Sequence, residues 1–363
     1  MIYKNNINVF REKRVPLPDG ESFPVLCLHD WEKLKGVRNC FTTRAGGVSE
    51  GWLASLNFRR GLYDPEENIL ENFTRIARYF DVGPERIVHV QQTHTANVRI
   101  ITGEDAGKGV IGTGELTDSD GMITNVPGLV LYISVADCVP LYFYDPVKGV
   151  IALSHSGWKG TVNRIGEVTI RKMRERYGCN PSDIYTAIGP SICSDCYEIS
   201  EDVAEEFCRC FSVDLNEMTA PAPHGSEPVH DSEKSLPEKE EAEKIHIPGR
   251  GQHACESREI ISGRVQHAGG YREIIPGRAQ HACESREIIP GILRTGKRAG
   301  HYQLDLWQAN VRIFIEAGIS PEHITVTNLC TCENPAELFS HRATAGKRGN
   351  QGAFLMLEQP ASS

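Results

Sequence analysis

Hydrophobic side chains near the middle of the chain occur in three short, closely spaced runs. GLVLYISVA at 128–136, VPLYFYD at 139–145 and VIALSHS at 150–156 are rich in β-branched and aromatic residues. Runs of this kind, bounded by turn residues such as those of the intervening DPVKG, predict buried strands. Asp137 and Cys138 separate the first two runs. We therefore expect the chain to bend or bulge at that junction.

Apolar residues recur at helical spacing elsewhere in the chain. A stripe within 161–178 predicts a helix, with Thr161 as its N-cap and Gly178 as its stop. The remaining segments predict helices at 65–83 and 304–319, two short strands around a kink at 86–102, and a strand at 323–331. Because strands and helices alternate irregularly, we expect an α/β fold with a single domain of mixed β-sheet layers flanked by helices.

A tandem repeat interrupts this pattern. GRGQHACESREIIS, GRVQHAGGYREIIP and GRAQHACESREIIP follow one another over 249–290, after a polar and acidic stretch. A stretch so poor in apolar residues cannot bury a core, so we expect 216–299 to be a poorly ordered insertion. The catalytic domain is then expected at 25–215 and 300–358, after an N-terminal extension at 1–24. A duplicated surface loop explains the repeat better than metal binding, because the second copy lacks the cysteine of the other two.

Composition narrows the class of protein. Hydrophobic residues make up 40% and charged residues 24% of the chain, which is typical of a globular protein. The net charge of −9 argues against nucleic acid as a partner. A mean hydropathy of −0.34, without a long apolar run, argues against a membrane partner. The first 20 residues carry charges where a signal peptide needs apolar residues, so we expect a cytoplasmic protein.

His94, Cys138 and His155 fall at predicted strand ends or kinks, among small and polar residues. One thiolate and two imidazoles would form a Zn²⁺ site with a position open for water or substrate. The same atoms also suit a thiol hydrolase, with Cys138 as nucleophile and a histidine as base. Residue chemistry alone leaves both interpretations open.

Two further cysteine pairs have the spacing of metal ligands. They are the CxxC of Cys193 and Cys196 and the CxC of Cys330 and Cys332. In a reducing compartment, ordinary loop cysteines are the more frequent explanation, and we expect these four to be such residues.

Several segments, taken in order, resemble the YfiH/YlmD family, also called the laccase-domain or multicopper polyphenol oxidase family. They are FTTRAGGVSEG, ASLNF, QQTHTANV, DSDGMIT, ISVADCVPLYFYDP, IALSHSGWKGT, IGPSICSDCYEIS, YQLDLWQANVRIFIEAGI and NLCTCENPAELFSHRATAGKRG. The resemblance covers about 25–215 and 300–358. One departure is Asn350, where the family usually has arginine after the last glycine; Arg348 is a candidate to replace it.

The resemblance implies an enzyme of purine nucleosides that binds Zn²⁺ at His94, Cys138 and His155. It implies phosphorolysis of adenosine, inosine, guanosine and S-methyl-5′-thioadenosine, together with adenosine deamination. Purine nucleosides and phosphate are then the partners, and the chain would act as a monomer or homodimer. Copper-dependent phenol oxidation is less favoured, since the chain lacks a set of ligands dense in methionine or histidine. A non-catalytic protein that binds a partner through the repeat is a further alternative.

On this basis we expect roles for the other polar residues of these motifs. Arg44, Lys159 and Arg342 are candidates for anion contacts, and His341 is a further candidate for substrate binding. Asn57 and Gln92 could hold the ribose or base, with Gln92 also counted in the catalytic set. Asp137, next to Cys138, could donate or relay a proton to the purine.

Overall fold

A computed structural model describes residues 1–61, 63–112, 114–213 and 286–359. Its strands are β1 Phe10–Pro16, β2 Ser22–Leu28, β3 Val37–Thr42, β4 Ile87–His89, β5 Val98–Ile100, β6 Gly121–Thr124, β7 Val130–Val135, β8 Val139–Asp145, β9 Val150–Ser156, β10 Tyr185–Ile188, β11 Glu198–Ser200, β12 Glu287–Ile289, β13 Leu293–Thr295, β14 His301–Leu304, β15 Ile324–Val326 and β16 Gln351–Leu357. Its α-helices are α1 Glu66–Ala77, α2 Trp158–Val162, α3 Ile165–Tyr177, α4 Glu201–Cys210 and α5 Leu306–Glu316.

The strands form two six-stranded mixed sheets and one smaller sheet. Sheet A has the order β1-β2-β3-β16-β7-β4, sheet B has β15-β10-β8-β9-β6-β5, and sheet C has β11-β14-β13-β12. Both large sheets contain parallel and antiparallel pairs. The expected α/β fold of mixed sheet layers flanked by helices is therefore confirmed.

The alternation of side chains along β8 explains how the layers pack. Leu141 and Phe143 share a core with α3 and α5, whereas Tyr142 and Tyr144 belong to the core shared with sheet A. Every residue of β8 is buried, so neither face of sheet B meets solvent there. A strand buried on both faces has a continuous apolar pattern, as the sequence of this run indicated.

The predicted central strands agree with β7, β8 and β9, but the helix expected at 161–178 begins differently. A short helix, α2, already includes Thr161, whose hydroxyl donates to the carbonyl of Gly157 at 3.0 Å. Arg164 then adopts a left-handed conformation, φ 55°, and separates α2 from α3. Thr161 as the N-cap of one long helix was therefore wrong, because the chain turns before α3.

The N-terminal residues are part of sheet A rather than a separate extension. β1 and β2 pair antiparallel over seven residues each, from Phe10 with Leu28 to Pro16 with Ser22. Phe10, Val15 and Phe23 are buried in the cores of the domain. The boundary expected at residue 24 is corrected accordingly, since the hairpin supplies two strands of the sheet.

The end of the expected insertion also belongs to the packed domain. Residues 286–299 contain β12 and β13, and β13 pairs with β14. Ile288, Ile289 and Leu293 are buried in the core around α5. Burial of these side chains explains why this part is ordered, so the boundary expected at 299 lay too far along the chain. The rest of the predicted insertion, 216–285, lies outside the described residues.

None of the helices in the described ranges is both long enough and apolar enough to cross a lipid bilayer.

We expect Phe354→Ala to destabilise the fold by about 3–5 kcal/mol, the usual cost of emptying a buried aromatic site. Phe354 lies on β16, is fully buried, and stacks on Tyr132 with ring centroids 4.8 Å apart. Urea unfolding followed by tryptophan fluorescence measures the change. Ile315→Ala on the exposed side of α5 is the control and should change stability by less than about 0.5 kcal/mol. Equal effects of the two substitutions would contradict this description of the core.

Candidate active site

His94, Cys138 and His155 converge although they lie far apart in the sequence. Cys138 lies between β7 and β8, where the chain passes from sheet A to sheet B, and His155 lies on the neighbouring β9. His94 comes from the loop between β4 and β5. One donor atom from each side chain lies within 4.8 Å of the other two. This arrangement is a candidate metal site.

Asp120 fixes the orientation of His155. Its Oδ1 accepts a hydrogen bond from Nδ1 of the buried His155 ring at 2.8 Å, which leaves Nε2 for a metal or for Cys138. The other oxygen of Asp120 accepts from the backbone N–H groups of Thr93 and Thr95, at 3.1 and 2.7 Å. These two residues flank His94. A carboxylate behind a ligating histidine is the usual second layer of a metal site.

The space around the three donors fits a metal ion. A Cβ atom added at Gly157 would lie 3.2 Å from Sγ of Cys138 and 3.3 Å from Cδ2 of His94. Glycine therefore keeps the cradle open on that side. One sulfur and two imidazoles in a partly exposed cleft match the three-ligand sites of catalytic metals, which leave a coordination position free.

The same geometry shifts the pKa values of Cys138 and His155. Burial raises the pKa of the Cys138 thiol, but the adjacent His155 and His94 rings outweigh burial and bring the pKa to about 6. Burial lowers the pKa of His155, and Cys138 and Asp120 together overcome this and raise it to about 9. A thiolate is therefore favoured at neutral pH, as a metal ligand or a nucleophile requires.

Two clefts meet at these donors. The first, of about 310 Å³, is lined by His94, Cys138 and His155 together with Arg59, Gln92, Arg348 and Asn350, among others. The second, of about 430 Å³, shares His94, Cys138 and Arg348 and adds Asp137, Trp158, Tyr197, His341 and Arg342. A bound metal would thus be accessible from both sides.

The first cleft is cationic. Burial, followed by repulsion from Arg59, lowers the pKa of Arg348. Within the described residues, the buried Nε of Arg348 has no hydrogen-bond partner. Arg348 also donates from Nη1 to Oδ1 of Asn350, whose Nδ2 donates to Ser134 at 2.6 Å. Asn350, at the position where the family usually has arginine, therefore supports the neighbouring Arg348 in this chain. An anion in the cleft would reduce the repulsion between Arg348 and Arg59.

Asp137 and Gln92, both expected in the catalytic set, do line the clefts, but protein partners hold them. Asp137 has a left-handed φ of 84°, and its carboxylate accepts from Thr331 Oγ1 at 2.6 Å and from the Arg342 backbone N–H at 2.7 Å. Gln92 makes two hydrogen bonds to the backbone of Ser134. Their positions are fixed before any substrate arrives.

Three residues expected at the substrate are placed outside the lining of both clefts. Arg44 donates to the carbonyls of Ala54 and Pro335, and Asn57 is buried and bound to Asp64. Lys159 is exposed, with its ammonium 5.5 Å from the centre of the Trp158 ring. We therefore assign Arg44 and Asn57 to support of the loops rather than to contact with substrate. His341 and Arg342, in contrast, lie in the second cleft.

Sequence reasoning did not single out Asp120, Arg59, Trp158 or Tyr197 for a role. Asp120 stood inside the recognised DSDGMIT segment, and Trp158 inside HSGWKGT, so a signal was present for both. Tyr197 likewise stood inside IGPSICSDCYEIS, whereas Arg59, directly after ASLNF, lies outside the family segments. Only the packing of distant loops brings them to the clefts.

The chain matches the family model described as multi-copper polyphenol oxidoreductase laccase over residues 38–231 and 276–358. It is 30% identical over 339 residues to a Bacillus subtilis protein named purine nucleoside phosphorylase YlmD, covering 92% of this chain and 95% of that one. It is 30% identical over 196 residues to a protein of an unknown prokaryotic organism named adenosine deaminase RL5, covering 53% of this chain and 73% of that one.

Among solved structures, the crystal structure of YlmD from Geobacillus stearothermophilus matches with a TM-score of 0.68 and 26% identity. The match covers 97% of this chain and 100% of that one. These likenesses agree with the motifs noted in the sequence: the chain belongs to the family of laccase-like multi-copper polyphenol oxidoreductases that includes YlmD.

Proposed function

We propose that the chain is a zinc-dependent enzyme of purine nucleosides. It would split adenosine, inosine, guanosine and S-methyl-5′-thioadenosine with phosphate, releasing the base and the 1-phosphate of the (methylthio)ribose. It would also hydrolyse adenosine to inosine and ammonia. The observation that carries the proposal is a candidate metal triad at the junction of a cationic and an aromatic cleft. The names of the relatives, purine nucleoside phosphorylase and adenosine deaminase, support the same chemistry.

His94, Cys138 and His155 would hold the zinc ion. Bound there, zinc would supply a Lewis acid and a water that ionises near neutral pH, as attack on the purine C6 requires. Copper also accepts one thiolate and two imidazoles, commonly with a methionine as a weak axial ligand. The residues that line the two clefts include no methionine, which favours zinc.

Arg348 and Arg59 would hold the phosphate. Both line the first cleft, beside His94, Cys138 and His155. A dianion bound between them is held next to the metal triad, which reduces the entropy cost of attack on the sugar. The sequence offered Arg44, Lys159 and Arg342 for an anion contact. Arg44 donates to the carbonyls of Ala54 and Pro335, and Lys159 is exposed. The guanidinium of Arg342 donates to the carbonyls of Cys196 and Glu198.

The second cleft would hold the purine. Trp158 and Tyr197 offer flat faces of the size of a base, and His341 offers a ring nitrogen for hydrogen bonding. Asp137 would direct a proton to the purine as it leaves or as it is attacked at C6. The hydrogen bonds from Thr331 and from the Arg342 backbone hold its carboxylate in place for that transfer.

We expect adenine and ribose 1-phosphate to form from adenosine only when phosphate is present, and inosine to form with or without it. Chromatography of the products measures both reactions on protein of known zinc content. Cys138→Ala should abolish both, because it removes a metal ligand. Cys210→Ala, a half-buried cysteine on α4, is the control and should keep them. A Cys138→Ala protein with normal activity would overturn the proposal.

The same assay tests the thiol hydrolase that the sequence left open. Protein stripped by a chelator should be inactive and regain activity with zinc, whereas a thiol enzyme would remain active without metal. In stripped protein Cys138 should react readily with iodoacetamide at pH 7, above its pKa of about 6, and zinc should protect it. Alkylation that is indifferent to zinc, together with activity in the stripped protein, would establish the thiol mechanism instead.

We expect Arg348→Ala to raise the KM for phosphate about 10- to 100-fold, corresponding to the loss of a charge-assisted hydrogen bond. Adenosine deamination uses no phosphate and should change much less, so it is the internal control. Arg171→Ala, an exposed arginine on α3 that pairs with Glu175, controls for loss of charge. An equal decrease in both reactions would show that Arg348 supports the fold rather than phosphate binding.

We expect Asp120→Asn to weaken zinc binding by about 10- to 100-fold, because the carboxylate no longer orients His155. Competition with a chromophoric chelator measures the affinity. Asp183→Asn, on the turn before β10, should leave it unchanged. Unchanged affinity in Asp120→Asn would remove Asp120 from the support of the site.

A further inference from the structure

A second group of possible metal ligands lies in two neighbouring loops. Cys193 and Cys196 follow β10, while Cys330 and Glu333 follow β15. β10 and β15 are parallel and adjacent, so their carboxyl ends lie side by side. A further bridge between Ser191 and Cys330 continues the pairing into the loops. The topology thus brings together two segments that are more than 130 residues apart.

The four donor atoms form a compact set. Sγ of the three cysteines and one oxygen of Glu333 all lie within 4.8 Å of one another. Oε1 of Glu333 is 3.8 Å from Sγ of Cys193 and 3.9 Å from Sγ of Cys196. In a tetrahedral zinc site with Zn–S bonds of about 2.3 Å, sulfurs lie roughly 3.8 Å apart. The set therefore needs only a small contraction to enclose an ion.

Two of the three cysteines lie inside the protein, and one of them accepts a backbone hydrogen bond. Cys193 is 2% exposed and Cys330 fully buried. The backbone N–H of Cys193 donates to Sγ of Cys330 at 3.4 Å. These thiols would lose their protons when a cation binds, and the backbone N–H would then stabilise the Cys330 thiolate.

The charges around the group balance only while the thiols are protonated. Lys4 donates to Glu333 at 2.5 Å and to Asp195 at 3.1 Å, so one ammonium already faces two carboxylates. Arg294 pairs with Asp195 from the other side, at 2.7 Å. Ionised thiols in the same place would add negative charge that these cations do not offset. A divalent metal ion would supply the positive charge that balances the thiolates.

We propose that Cys193, Cys196, Cys330 and Glu333 bind a second zinc ion, in a closed structural site that clamps the loops after β10 and β15. Four protein ligands leave no position for substrate, which distinguishes it from the triad. The clamped loops support the active site: Thr331 donates to the carboxylate of Asp137, and Ile192 donates to the carbonyl of Asp137 at 3.0 Å. The inference does not depend on the proposed reaction.

Metal content and cobalt spectra test the site without an activity assay. We expect two zinc ions per chain in the reduced full-length protein and one in Cys138→Ala. With cobalt in place of zinc, Cys138→Ala should keep a strong thiolate-to-cobalt charge-transfer band, because three thiolates remain. The double variant Cys138→Ala/Cys193→Ala should lose both the second metal and the band. Cys138→Ala/Cys210→Ala is the matched control and should keep both.

The double variant is needed because the repeats carry His253, Cys255, His281 and Cys283, which could also bind metal. If the metal content of Cys138→Ala/Cys193→Ala equals that of Cys138→Ala, the proposal is wrong. If that double variant does not fold, by near-ultraviolet circular dichroism, Cys138→Ala/Glu333→Gln decides: it should bind the remaining metal at least tenfold more weakly. A disulfide among Cys193, Cys196 and Cys330 in protein purified without reductant but with zinc would also overturn the proposal.

Discussion

The passage of the chain from one sheet to the other at Ala136–Cys138 is the constraint on which the site depends. β7 is paired within sheet A and β8 within sheet B, so the three residues between them must bridge two layers. Asp137 adopts a left-handed backbone to make this turn. The turn leaves Cys138 opposite the end of β9, where His155 is held by the buried carboxylate of Asp120. Backbone strain of this kind is maintained only because the strands on both sides are fully paired.

Neighbouring loops extend this arrangement into two clefts with different chemistry. Arg348 and Arg59 give one cleft its positive charge, while Trp158 and Tyr197 give the other its aromatic walls. Arg342 links two parts of the site. Its backbone N–H donates to the carboxylate of Asp137, and its guanidinium donates to the carbonyl of Cys196. The precision of the site thus depends on contacts between loops that follow β10, β15 and the last turn before β16.

Local hydrophobic patterns in the sequence predicted much of the fold. The three apolar runs became β7, β8 and β9, since a strand buried on both faces needs a continuous apolar sequence. Hydrophobic periodicity also located α1 and α5. It could not show that Arg164 would break the helix after Thr161, nor that 286–299 would join sheet C. Those outcomes depend on contacts with residues distant in sequence, and a local pattern carries no information about such contacts.

The sequence by itself determined the family, through short motifs whose order is specific, and singled out the three residues of the candidate metal triad. It also offered Arg44 and Asn57 as substrate contacts, because the sequence does not distinguish a polar loop residue that faces a cleft from one that supports the loop. Tertiary structure decided which of these side chains face a cleft and which support its wall. It also decided that Cys193, Cys196 and Cys330 meet with Glu333, because two adjacent parallel strands bring their distant loops together.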